Sequence, residues 1–169
     1  MCSSDLVGPL ANPAGAGRQV IGVSDPARAE LMAGALARLG TTHSLVVHGE
    51  PGMDEVSPVG STSVIEIRAD AVSRWTVEPA ALGITGVTVG DLAGGGPEDN
   101  AALIVAILEG RGPSGATAAV TLNAAAAIYV AGASPSVEAA MATAQDAVRS
   151  GAARSALERL RRAAGRPAR

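Results

Sequence analysis

The chain has 169 residues, 47% of them hydrophobic and 17% charged, so it has room for one domain with a real core and is not a disordered polyelectrolyte. It holds one Trp, one Tyr and no Phe; Ala, Val, Leu and Ile must build the core, and the composition argues against stacking of nucleobases on aromatic faces. The formal charge of −3 divides into about −8 before Arg154 and about +5 from there on, with no lysine, so the acidic body cannot hold a polyphosphate without metal ions or cations from elsewhere.

In chain order, "RQVIGV" (18–23) is a short apolar run suited to a buried strand. "SDPARAELMAGALARLG" follows with helix punctuation: Ser24 or Asp25 as N-cap, Pro26 in the first turn, Gly40 past the end. Met32, Ala35, Leu36 and Leu39 form its apolar stripe. "SLVVHG" (44–49) is the next strand, and strand, helical crossover, strand predicts a parallel βαβ unit. In such sheets ligands gather beyond the carboxyl ends of the strands.

"TSVIEIR" and "AVSRWTVEP" alternate around Ala69-Asp70 and predict an antiparallel hairpin. "DLAGGGPEDNAALIVAILEG" is a glycine loop opening a helix with Leu103, Ile104, Ile107 and Leu108 as its core face. Residues 114–131 are apolar nearly all round and predict a buried helix. Ser134 and Pro135 start another, striped by Val137, Ala140, Met141, Ala144 and Val148, and a last helix carries Ala153, Leu157 and Leu160. The class is α/β: a parallel-stranded central sheet with an antiparallel hairpin, flanked by helices. The longest Ala-rich run is broken by Asn123, too short to span a membrane. Cys2 can form no internal disulfide, and the N-terminus has neither a basic region nor an apolar signal core, so a cytoplasmic location is expected.

"VVHGEPGMDEVSP" (46–58) sets two adjacent carboxylates, Asp54 and Glu55, on the loop leaving the second strand. They are either solvated acids or a Mg²⁺ site, since that ion takes one or two protein oxygens and the rest from water and substrate phosphate. The glycines at 94–96 are read as a structural turn, because Glu98 and Asp99 already occupy the positive end of the helix dipole and no Lys-Ser/Thr follows. His43 and His48 lack the spacing of a metal pair with cysteine; His48 is a ligand, a base or a satisfied boundary residue. Asn123 needs hydrogen-bond partners inside its apolar helix and is read as a helix-to-loop tether. The Arg-rich tail is either solvated charge or a nucleic-acid contact.

"LVGPLANPA", "LVVHGEPGMDEVS", "LAGGGPEDNA" and "TLNAAAAIYVAG", collinear from Leu6 to about Leu160, resemble the anthranilate phosphoribosyltransferase family. That resemblance implies a nucleoside-phosphorylase-like fold, a homodimer, and attack of the anthranilate amine on phosphoribosyl pyrophosphate in tryptophan biosynthesis. It implies Mg²⁺ as cofactor, with Asp54 and Glu55 as its ligands. The family's helical domain and donor-binding loops precede "LGPLxNP" and have no counterpart here. The expectation is therefore a C-terminal portion, 7–169, behind a foreign or mispredicted start at 1–6, inactive alone and exposing apolar residues around Val7–Ala11. A nucleic-acid-binding relative of the fold and a pyrimidine-nucleoside phosphorylase are the alternatives.

Overall fold

In the computed structural model, which describes residues 7–69 and 71–165, a single turn α1 (Val7–Leu10) leads to strand β1 (Arg18–Gly22), helix α2 (Pro26–Arg38) and strand β2 (His43–Gly49). The start at 1–6 with Cys2, Asp70 of the predicted hairpin turn, and residues 166–169 lie outside the described residues. β1 and β2 pair in parallel, Val20 opposite Leu45 and Gly22 opposite Val47. Asp25 is the N-cap of α2, its carboxylate accepting from Ala27 N–H at 3.0 Å, and Pro26 stands where a missing N–H costs nothing. Gly40, at φ 73°, ends the helix in the left-handed conformation that glycine alone adopts freely. Leu39, expected on the buried stripe, is 63% exposed: it is the C-cap, so the stripe stops at Leu36 and Ala33 joins Met32 beneath it.

β3 (Thr62–Arg68) and β4 (Ala71–Val77) form the expected hairpin, and β3 also pairs antiparallel with β2. The sheet is mixed, in the order β1-β2-β3-β4. Its strands alternate sides. Val46, Ile65 and Ile67 face α2 with Ile21, Met32 and Leu36, while Leu45, Val47, Val64 and Val77 face the second half of the chain. After two 3₁₀ turns (Pro79–Leu82 and Val89–Leu92) come α3 (Pro97–Leu108), α4 (Ser114–Val130), α5 (Val137–Arg149) and α6 (Ala152–Ala163). α4 and α5 close the second core through Leu122, Ala125, Ala126, Ala140, Met141 and Ala144.

Four local expectations change. α5 begins two residues late, because Ser136 and not Ser134 presents its Oγ to Ala139 N–H, at 3.2 Å. α3 buries only Ile107 of its apolar face, and Ile104 is 51% exposed, because α3 lies beside the sheet rather than on it. α4 is not buried all round; Val120 opens onto a cleft. α6 buries no residue, and Leu160 is 66% exposed: the ion pair of Arg154 with Glu109 links it to the end of α3, while the pairs of Arg154 and Arg161 with Glu158 run within the helix. Of the stretch expected to be exposed, Val7, at 56%, and Ala11 are exposed, but Leu10 is half-buried against the α2 side of the core.

A polar cluster centred on one carboxylate sits in the α4 side of the core. Glu66 of β3 is 8% exposed and accepts three hydrogen bonds: from His43 Nε2 at 2.7 Å, Tyr129 Oη at 2.6 Å and Trp75 Nε1 at 2.9 Å. The chain's only Trp and only Tyr thus converge on one carboxylate, and His43 meets the Tyr129 ring edge-on at 4.9 Å. Burial opposes ionisation of Glu66, but the bonds from Tyr129, Trp75 and His43 outweigh it and hold the carboxyl below its ordinary value. Burial and the neighbouring Glu66 push the Tyr129 hydroxyl up to about 12. Arg18 adds a bond to the Val130 carbonyl at 2.6 Å. Together these fasten the C-terminal half of α4 to the sheet.

The loop from β2 to β3 folds back over both parallel strands. Gly49 and Met53 exchange backbone bonds at 2.9 and 2.7 Å; Ser57 Oγ donates to the Glu50 carbonyl at 2.5 Å and Ser57 N–H to Thr62 Oγ1 at 2.9 Å. The loop backbone then lies directly on two glycines. A Cβ on Gly22 would fall 1.4 Å from the Asp54 carbonyl oxygen, and one on Gly49 would fall 2.6 Å from that of Glu55.

Two outcomes follow for stability. Because the Glu66 carboxyl lies below its unfolded value of 4.5, its contribution is present above that pH and is shed as pH falls through the lower native value. Glu66→Gln, read by urea denaturation from pH 7 to 3, should cost about 1–3 kcal/mol at neutral pH and flatten the acid limb; an unchanged acid limb would contradict this. Gly22→Ala should cost about 3 kcal/mol, since the obstacle is backbone and cannot rotate aside; a neutral change in midpoint would contradict the contact.

Candidate metal centre

Asp54 and Glu55 stand on the loop just described, exposed, at the carboxyl ends of β1 and β2. They share a cleft with Val20, Gly22, Val47, Ala119, Val120 and Asn123. An adjoining hollow of about 700 Å³ continues from them to Gly94, Asn100, Leu103 and Ile104. Their backbone is fixed from below by Gly22 and Gly49, and from the side by Asn123 of α4. The Asn123 amide accepts from Val56 N–H at 2.9 Å and donates to the Val56 carbonyl at 2.9 Å. Asn123 is therefore the helix-to-loop tether expected of it.

Among the described residues neither Asp54 nor Glu55 is ion-paired; Arg28, Arg74, Arg111, Arg149, Arg154 and Arg161 pair with other acids. Nor do three His, Cys, Asp or Glu side chains gather anywhere among them as a closed metal shell. A closed structural site is thus not what these residues make. Two hard, unpaired carboxylates beside open space suit an ion that keeps its waters and takes substrate oxygens, which is the habit of Mg²⁺.

The histidines are not part of this group. His43 is 2% exposed and bound to Glu66. His48 shares the α2 side of β2 with Val46, away from Val20 and Val47, and its Nδ1–H donates to the Val23 carbonyl at 2.8 Å. The triple glycine is a structural turn, as read. Gly95 N–H goes to Asn100 Oδ1 at 2.8 Å and Gly96 N–H to Asp99 Oδ2 at 3.2 Å, so the donors that would cradle a phosphate are engaged by the helix's own side chains. In the tail, Arg154 and Arg161 are committed to Glu158. No helix among the described residues is long and apolar enough to cross a membrane.

What the sequence reading missed is what shapes the loop. Gly22 and Gly49 each had a visible signal, a glycine closing a strand, which marks a close backbone approach. Glu66 had none, since an acid in an alternating strand reads as an outward-facing residue.

Comparison with known proteins gives a consistent result. The chain is 45% identical over 156 residues to the anthranilate phosphoribosyltransferase of Methylorubrum populi, a match covering 92% of this chain and 46% of that protein. It is 46% identical over 148 residues to that of Methanosarcina mazei, covering 87% and 39%. The crystal structure of the Thermus thermophilus anthranilate phosphoribosyltransferase aligns with a TM-score of 0.83 at 41% identity, over 92% of this chain and 45% of that one. The Saccharomyces cerevisiae enzyme in complex with PRPP and Mg aligns at 0.80 and 25% identity, over 90% and 44%. The chain thus spans about half the length of the relatives it matches, as a C-terminal portion. Residues 3–154 match the glycosyl transferase family, a/b domain, and the chain belongs to that family.

Proposed function

We propose that this chain is the metal-holding portion of an anthranilate phosphoribosyltransferase, in which the anthranilate amine attacks the anomeric carbon of phosphoribosyl pyrophosphate and pyrophosphate leaves. The observation that carries this reading is the Asp54–Glu55 pair, without a cationic partner among the described residues, on a braced loop at the mouth of a parallel strand pair. The collinear likeness to enzymes of that name supports it. When bound, Mg²⁺ would supply positive charge against the departing pyrophosphate.

The chain's own residues would then act as follows. Asp54 and Glu55 offer the protein oxygens. Gly22 and Gly49 let their backbone settle at the strand ends, and the unpaired carboxylates need shed no arginine to accept the ion. Two carboxylates leave most of the coordination shell to water and substrate, so binding of the ion alone should be weak. The homodimer implied by the resemblance belongs to the same proposal. The nucleic-acid reading has less behind it, because Arg154 and Arg161 are already paired with Glu158.

The test joins this chain to the portion of the Thermus thermophilus relative that it does not span, and follows anthranilate fluorescence with phosphoribosyl pyrophosphate and Mg²⁺. The expected result is a decay that needs both additions, no decay with the chain alone, and a loss of about 100-fold or more in Asp54→Asn with Glu55→Gln. An unimpaired double mutant contradicts the metal role. A folded but inactive fusion contradicts the assignment of reaction.

A further inference from the structure

We infer that Asn123 is a positioning residue for the metal loop: it locks the backbone beside the two carboxylates in one conformation and so sets the direction in which Asp54 and Glu55 point. This rests on the reading of that loop as a Mg²⁺ site.

The geometry is specific to an amide. Val56 N–H donates to Asn123 Oδ1 at 2.9 Å, and Asn123 Nδ2 donates to the Val56 carbonyl at 2.9 Å, so one side chain satisfies both backbone groups of one residue as a neighbouring strand would. The second hydrogen of Nδ2 goes to the Ala119 carbonyl at 3.0 Å, one turn back on α4, which fixes the rotamer. A carboxylate of the same shape has no donor for Val56, and a hydroxyl is too short to reach both groups.

The place of the clamp matters as much as its chemistry. Val56 directly follows Glu55 and is 1% exposed, so its backbone groups have no water to fall back on. Upstream, Met53 is tied to Gly49; downstream, Ser57 is tied to Thr62. Between them the Asp54 and Glu55 carbonyls rest on Gly22 and Gly49, contacts that block movement inward but do not resist movement outward. Asn123 supplies the pull. α4 can deliver it because Glu66 and Arg18 hold the helix at its far end, through Tyr129 and Val130.

The experiment titrates the full chain and its Asn123→Ala, Asn123→Ser and Leu122→Ala variants with Mn²⁺, read by the EPR signal of the free ion, and records hydrogen exchange at the Val56 amide. Asn123→Ala should weaken Mn²⁺ binding about 10-fold or more, as loss of an outer-shell partner does, and should free the Val56 amide to exchange. Leu122→Ala removes a fully buried side chain from the same helix, and should lower the denaturation midpoint while leaving Mn²⁺ affinity as in the parent. Should Asn123→Ala not fold, Asn123→Ser, which keeps a hydroxyl for the Ala119 carbonyl, carries the same expectation. Parent-like Mn²⁺ affinity in the Asn123 variants overturns the inference, and so does an equal loss in Leu122→Ala. If the parent chain itself binds no Mn²⁺, the metal reading falls separately. Val56 exchange then decides the clamp: protection lost only around 53–57 upholds it, and unchanged protection overturns it.

Discussion

A buried carboxylate decides where the longest helix lies. Glu66 takes hydrogen bonds from β2, β4 and α4, so three elements that share little sequence neighbourhood meet at one acceptor group. Leaving any of those donors unmade would cost on the order of 1–3 kcal/mol, which makes the arrangement strongly preferred over a helix shifted by a turn. α4 is thereby fixed in height and rotation on the sheet. Everything at the other end of that helix, Asn123 and Val120 included, inherits its position from this junction.

The composition explains why so much rests on a few polar contacts. With no Phe, one Trp and one Tyr, the core between α4, α5 and the sheet is made of Ala, Val, Leu and Met. Such side chains let helices approach closely, but an alanine-rich surface offers few bulky knobs to resist sliding or rotation. The two rings that do exist are both spent on Glu66. At the opposite end, register is supplied by an amide on a loop and by two glycines that admit a backbone at contact distance. The result is a rigid mount beneath two carboxylates that are themselves unconstrained by any ion pair among the described residues.

Most of the first half was legible because periodicity and punctuation agreed there. Asp25-Pro26 marked the start of α2, the apolar runs marked β1 and β2, and the crossover between them required parallel pairing. The glycine turn and the Asn123 tether were also readable, since each rested on local donor and acceptor accounting. The second half was harder. In α3 and α6 the apolar stripe implied burial that neither helix has, because a stripe records what a face prefers and not whether a surface covers it. The pairing of β2 with β3 crosses a loop too long to read as a tight hairpin, and the role of Glu66 depends on Tyr129 from far along the chain, for which a strand pattern carries no signal. The carboxylate pair stood out by its place after a strand, with Mg²⁺ as one of two readings of the residues, and the family likeness is what favours that reading in the proposal.

The most direct check of the account is where a metal settles. Crystals of the chain grown with Mn²⁺ and pyrophosphate should show an anomalous peak about 2.1 Å from carboxylate oxygens of Asp54 and Glu55, with pyrophosphate oxygens completing the shell. A peak at other residues, or none beside an ordered loop, would contradict it.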